Sequence, residues 1–201
     1  MDDWKGKIAV ACEKLKSVDK LWIFGYGSLI WRQGFPFVEK KACYVKGYKR
    51  RFWQASTDHR GTPKFPGRVV TLVPAQSEIT WGCAFRIDEK DREDVIRYLD
   101  VREKGGYSQR IEPAFDEDGK EIGEVLFYIG TADNKAYVDS PNDKDTAAII
   151  AKSVGPSGKN IDYLHMLHSS IEELQIKDPH VENLVKLVDG LVKKTKSEPK
   201  A

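Results

Sequence analysis

Strand-like segments crowd residues 21–130, and the chain beyond them is helical. The segments 21–26, 43–54, 68–73, 80–87, 108–115 and 123–130 are rich in β-branched and aromatic residues and are bounded by turn formers. One helix interrupts them, over about 89–101, with Asp88 as its N-cap, Val95, Ile96 and Leu99 on its buried face, and Gly105-Gly106 as its stop. After the last strand come DKDTAAIIAKSV, a GPSG turn, NIDYLHMLHSSIEEL and HVENLVKLVDGLVKKTK. Strands first and helices last predict an α+β domain: a curved or closed sheet with helices packed outside it. Trp4, Ile8, Ala11 and Leu15 stand at helical spacing, so residues 1–20 read as an accessory N-terminal helix before a single domain over 21–195.

Bulk properties narrow the function. The chain has 201 residues, 40% hydrophobic and 32% charged, the profile of a soluble globular protein. A net charge of +2 argues against nucleic-acid binding driven by bulk charge. Cys12, Cys43 and Cys83 are odd in number and widely spaced, which fits neither a disulfide framework nor a zinc site. The N-terminal MDDWKGKIAVACEKLKS lacks a signal-peptide core, and no run approaches the ~20 apolar residues of a membrane span. The expectation is a cytoplasmic protein with no membrane or nucleic-acid partner and no obligate protein partner.

Trp22–Trp31, WIFGYGSLIW, is an apolar strand broken by Gly25, Gly27 and Ser28. Interior glycine costs a strand entropy and packing. Two readings stand side by side: a β-bulge or tight turn, and a concave nest of bare amides that binds an anion. The loop is neither a Walker loop nor a dinucleotide fingerprint, since no Gly-Lys-Ser/Thr and no third helix-opening glycine follow.

Residues 47–74 mix Lys49, Arg50, Arg51, His59, Arg60, Lys64 and Arg68 with aromatics. Strand neighbours alternate faces, so Arg50 and Arg51 do not both face one site. The segment reads either as a shaped loop over a pocket or as a solvated basic hairpin. Ser56, Asp58 and His59 stand too close in sequence for a catalytic triad. His165 and His168 share a helix face, but no third metal ligand stands near them in sequence. Cys83 reads as packing.

In YLDVREKGGYSQR, Glu103 closes the first helix. A helix C-terminus carries partial negative charge, which raises a carboxylate's pKa, as partial burial does, and makes it a better base near neutrality. The competing reading is an exposed Glu paired with Arg102 or Lys104. Asp94 and Asp100 are its neighbouring acids.

Taken together, WIFGYGSLIW, RRFWQASTDHRGTPKFPGRVVTLV, WGCAFRI, YLDVREKGGYSQR, LFYIGTADN and GPSGKNIDYLHMLHSSI resemble the ChaC family of glutathione-specific γ-glutamylcyclotransferases. The resemblance runs from about Trp22 to residue 190. It implies a γ-glutamylcyclotransferase-like mixed β-barrel with surrounding helices. It also implies an enzyme that splits glutathione into 5-oxoproline and cysteinylglycine and needs no cofactor or metal. The segment Ile23, Phe24, Gly25, Tyr26, Gly27, Ser28 and Leu29 would hold the γ-glutamyl group, and Glu103 would be the base. Arg51 or Arg60 would meet the glycine carboxylate, with Tyr107 and Tyr128 lining the pocket.

Overall fold

The computed structural model describes residues 20–103 and 106–197; the proposed helix over 3–17 lies outside them. Five strands close into a barrel: β1 (Leu21–Gly25), β2 (Glu39–Ser56), β3 (Gly67–Ile87), β4 (Ser108–Phe115) and β5 (Glu121–Ile129), in the order β1-β3-β2-β4-β5. Four pairings are antiparallel. The fifth closes the barrel in parallel through Trp22↔Val125 and Ile23↔Leu126. The expected α+β class and mixed barrel are what is found.

The segments 68–73 and 80–87 belong to one strand, β3, because both halves pair along the long β2. The register jumps from Lys46↔Ile79 to Tyr48↔Pro74, leaving Gly47 alone opposite residues 75–78. Gly47 has φ +82°, a left-handed turn that glycine takes without strain. The irregularity also switches the inward parity of β2. Cys43 and Val45 are buried before it; Arg50, Phe52, Gln54 and Ser56 are buried after it. A period-2 pattern read through residue 47 therefore assigns the wrong face to one half.

Phe24, Phe52, Phe85 and Phe127 fill the core, with Phe24 and Phe127 edge to face at 5.8 Å. Burying each such side chain contributes about 1.5–3 kcal/mol. Asp88 accepts a bond from the Lys90 amide at 3.4 Å, so it caps a short 3-10 turn, Glu89–Asp91. The helix α1 (Arg92–Arg102) follows, burying Val95 and Leu99. The later helices are α2 (Asp143–Lys152), α3 (Asn160–Glu173) and α4 (Pro179–Ser197). They bury Ile150, Leu164, Leu167, Val181, Leu184 and Val188. Before α3, the two-residue strands β6 (Val154–Gly155) and β7 (Gly158–Lys159) form a small hairpin.

Fully buried Asn160 ties α3 to the barrel. Its Oδ1 accepts the Arg68 amide at 2.6 Å, and its Nδ2 donates to the Arg68 carbonyl at 2.8 Å. The side-chain amide replaces a missing strand neighbour. Among the described residues no helix is long and apolar enough to cross a membrane.

Candidate active site

The glycines of Trp22–Trp31 shape a loop at the end of β1. The chain leaves the strand at Gly25 and folds back over it: a Cβ there would lie 2.7 Å from Leu29 Cβ. Ser28–Ile30 form one 3-10 turn, with Ile30 N–H donating to Gly27 O at 3.0 Å and Arg32 N–H to Ser28 O at 2.8 Å. The first amides of a helical turn have no partner within it. Among the described residues, the Gly27, Ser28 and Leu29 amides donate to no backbone carbonyl. At Gly27 a Cβ would meet Val70 Cγ2 at 2.8 Å and the Tyr163 hydroxyl at 3.1 Å.

This loop forms one wall of a cavity of about 720 Å³. The loop 54–60, Val69, Val70, Tyr98, the end of α1, Tyr107, Tyr128 and Tyr163 form most of the rest. Of the residues expected at the site, Phe24, Tyr26, Gly27, Ser28, Leu29, Glu103, Tyr107 and Tyr128 line this cavity. Ile23, Gly25 and Arg51 do not. Ile23 is fully buried in the core, and Gly25 pairs with Cys83 in the ladder. Arg51 lies on the other face of β2 from the buried Arg50 and donates to the Arg50 carbonyl at 2.7 Å. Arg60 takes the wall position instead. Its amide donates to Ser56 Oγ at 2.9 Å and its guanidinium to Lys159 O at 3.0 Å.

Glu103 caps the C-terminus of α1, its amide donating to Leu99 O at 2.7 Å. Its side chain is 19% exposed. Burial raises its pKa; the charges of Arg102 and then His59 pull the other way without cancelling the rise. Arg102, which sequence spacing casts only as a pairing partner, organises this wall. Its Nε stands 3.4 Å from Glu103 Oε1. Its terminal nitrogens donate to Ser28 Oγ at 2.8 Å and to the carbonyls of Arg32 at 2.9 Å and Gln33 at 3.1 Å. One guanidinium thus binds the carboxylate to the glycine-rich loop. A hint existed in sequence, an arginine beside the candidate base; its partners near residue 30 were not readable.

Asp100 also has a role that sequence does not reveal. It accepts from the Tyr128 hydroxyl at 2.9 Å and from Gln109 Nε2 at 2.9 Å. The Tyr26 hydroxyl donates to the Tyr128 carbonyl at 2.6 Å. Burial, as the largest cause, raises the pKa values of Tyr26, Tyr107, Tyr128 and Tyr163, so all four remain protonated donors at neutral pH.

Asp58 and His59 do pair, at 2.8 Å, on the cavity's exposed rim. Ser56 Oγ is engaged with the Arg60 amide, so the three form no triad. His165 pairs with Asp189 at 3.0 Å and His168 with Glu172 at 3.3 Å. Cys43 and Cys83 are fully buried; burial pushes the Cys43 thiol up to about 12, the environment of an inert thiol.

Comparison with known proteins agrees with this architecture. The family model described as ChaC-like protein matches residues 21–191. Gamma-glutamylcyclotransferase 2-3 of Arabidopsis thaliana is 45% identical over 176 residues, covering 84% of this chain and 88% of that protein. Glutathione-specific gamma-glutamylcyclotransferase 1 of Danio rerio is 41% identical, covering 80% and 85%. Among solved structures, the selenomethionine-labelled γ-glutamylcyclotransferase specific to glutathione from yeast superposes with a TM-score of 0.80 at 30% identity, covering 85% of this chain and 96% of that one. The chain belongs to the ChaC-like protein family.

Proposed function

We propose that this chain is a glutathione-specific γ-glutamylcyclotransferase with Glu103 as its general base. One observation carries the reading: a single cavity is lined both by a largely buried carboxylate of raised pKa and by a loop whose amides donate to no backbone carbonyl among the described residues. Relatives named for this activity support it.

The chemistry asks little of the protein. The α-amine of the γ-glutamyl group attacks its own γ-carbonyl carbon, the C–N bond to the cysteine nitrogen breaks, and 5-oxoproline and cysteinylglycine leave. The nucleophile is tethered, and such tethering is worth ~7–11 kcal/mol in well-oriented systems. Loop amides anchor the glutamyl end, Glu103 takes the amine proton and returns it to the leaving nitrogen, and the tyrosine side chains shape the cavity walls. Arg60, one of the arginines that line the cavity, would meet the glycine carboxylate. A cytoplasmic location fits the free Cys43 and Cys83. Incubation with glutathione and, separately, γ-glutamyl-alanine tests the reading: 5-oxoproline is expected from the first and little from the second.

Arg102 sets the acid limit of activity. A base works only when ionised, so kcat falls as pH drops through the raised Glu103 pKa. The Arg102 charge favours the ionised form; Arg102→Ala removes it and raises the pKa further. The acid limb of the kcat–pH profile is therefore expected to move to higher pH. An unmoved limb would assign Arg102 to loop anchoring alone.

We also propose that residues 1–20 are accessory, since the family match begins at residue 21. Deleting residues 1–18 is expected to leave kcat/KM within a few-fold; a folded but inactive truncation would contradict this.

A further inference from the structure

A largely buried ion pair outside the cavity reaches the carbonyl of Tyr26, at the start of the glycine-rich loop. Arg50 is only 3% exposed and lines no part of the cavity. Its guanidinium is divided among three acceptors: Nε donates to the Tyr26 carbonyl at 2.8 Å, and the terminal nitrogens bond the Trp81 carbonyl and the Asp178 carboxylate. The other Asp178 oxygen accepts the Val181 amide at 3.2 Å, in the first turn of α4. A residue 128 positions away thus fixes Arg50, and Arg50 fixes Tyr26 O.

The Tyr26–Gly27 peptide is trans, as are all peptides of the described chain. In a planar trans peptide the C=O and N–H point in opposite directions. Holding Tyr26 O toward Arg50, away from the cavity, turns the Gly27 N–H toward it. That amide donates to no backbone carbonyl among the described residues, and Gly27 carries no side chain to cover it.

We infer that Arg50, held by Asp178, is a positioning residue that aims the Gly27 amide at the α-carboxylate of the γ-glutamyl substrate. The inference rests on the γ-glutamylcyclotransferase reading and adds to it a recognition element for the substrate's carboxylate end. A lysine cannot replace this arginine, because one ammonium does not span three acceptors spread around a planar fork.

The test uses Arg50→Lys and Asp178→Asn in the full chain. Asn keeps an oxygen for the Val181 amide, so the α4 cap persists while the charge pairing is lost. Glutathione affinity is read by calorimetry in a Glu103→Gln background, where turnover does not interfere, and KM and kcat are read with Glu103 intact. The expected result is a KM and Kd rise of about tenfold with kcat within about threefold, on the scale of one charge-assisted hydrogen bond. Unchanged Kd in both folded variants would overturn the inference, as would activity lost only in step with folded protein at constant KM. Failure of the unaltered chain to release 5-oxoproline strikes the functional reading instead, and the Kd comparison still tests the orientation of the amide.

Discussion

Glu103→Gln is expected to lower kcat by ~10²–10⁴-fold while glutathione still binds within a few-fold, the usual worth of a positioned base. This corresponds to about 2.7–5.5 kcal/mol of transition-state stabilisation. Gln preserves size and hydrogen bonding but does not accept the amine proton. Stability should respond differently. Burial raises the folded-state pKa of Glu103 above its unfolded value, so the contribution to stability is full at low pH and is lost as pH rises through the folded value. A neutral glutamine escapes that loss, and Tm at neutral pH should not fall. Activity lost with Tm maintained separates chemistry from folding; activity within tenfold of the parent would remove Glu103 from the role. Asp94→Asn is the proper control, since its side chain is 83% exposed and reaches toward Arg97, at 3.4 Å. Asp100→Asn is not silent, because Asp100 holds the Tyr128 hydroxyl.

Gly27→Val should be nearly as damaging, by a different route. Its Cβ would already press on Val70 Cγ2 at 2.8 Å and the Tyr163 hydroxyl at 3.1 Å, both residues of the cavity wall, so added methyl groups crowd that wall. Displacing a substrate by about 1 Å costs roughly 10²-fold in rate. The expected outcome is kcat/KM down by about that factor, with substantial KM elevation and a cooperative unfolding transition retained. Normal KM and kcat in Gly27→Val would show that this face of the loop does not meet substrate.

Which stretches of chain are extended was legible because period-2 patterning and turn residues are local signals; the number of strands and their order in the barrel were not. That Glu103 ends a helix was legible because helix patterning is local; only the family resemblance singled it out as the candidate base. Long-range relations were not legible. Alternation correctly separates Arg50 from Arg51, but it does not say which face turns inward, and Arg60, rather than Arg51, lines the cavity. The joining of 68–73 with 80–87 depends on the length of β2. The Arg102–Ser28 and Asp100–Tyr128 bonds cross 74 and 28 residues. No single-chain pattern announces such pairings, and the local Arg102–Glu103 pair looks in sequence like ordinary surface charge.

The parallel closure of the barrel has a consequence for biosynthesis. β1 emerges first from the ribosome, yet its two neighbours, β3 and β5, end at Ile87 and Ile129. The Tyr26 carbonyl must then wait for Arg50 to find Asp178, far down the chain. Contacts of such sequence separation form late and slowly. A nascent chain stopped before Asp178 carries the loop and Glu103 but not the carboxylate that holds Arg50, so the Tyr26 carbonyl gains its final partner geometry only after nearly the whole polypeptide has been made.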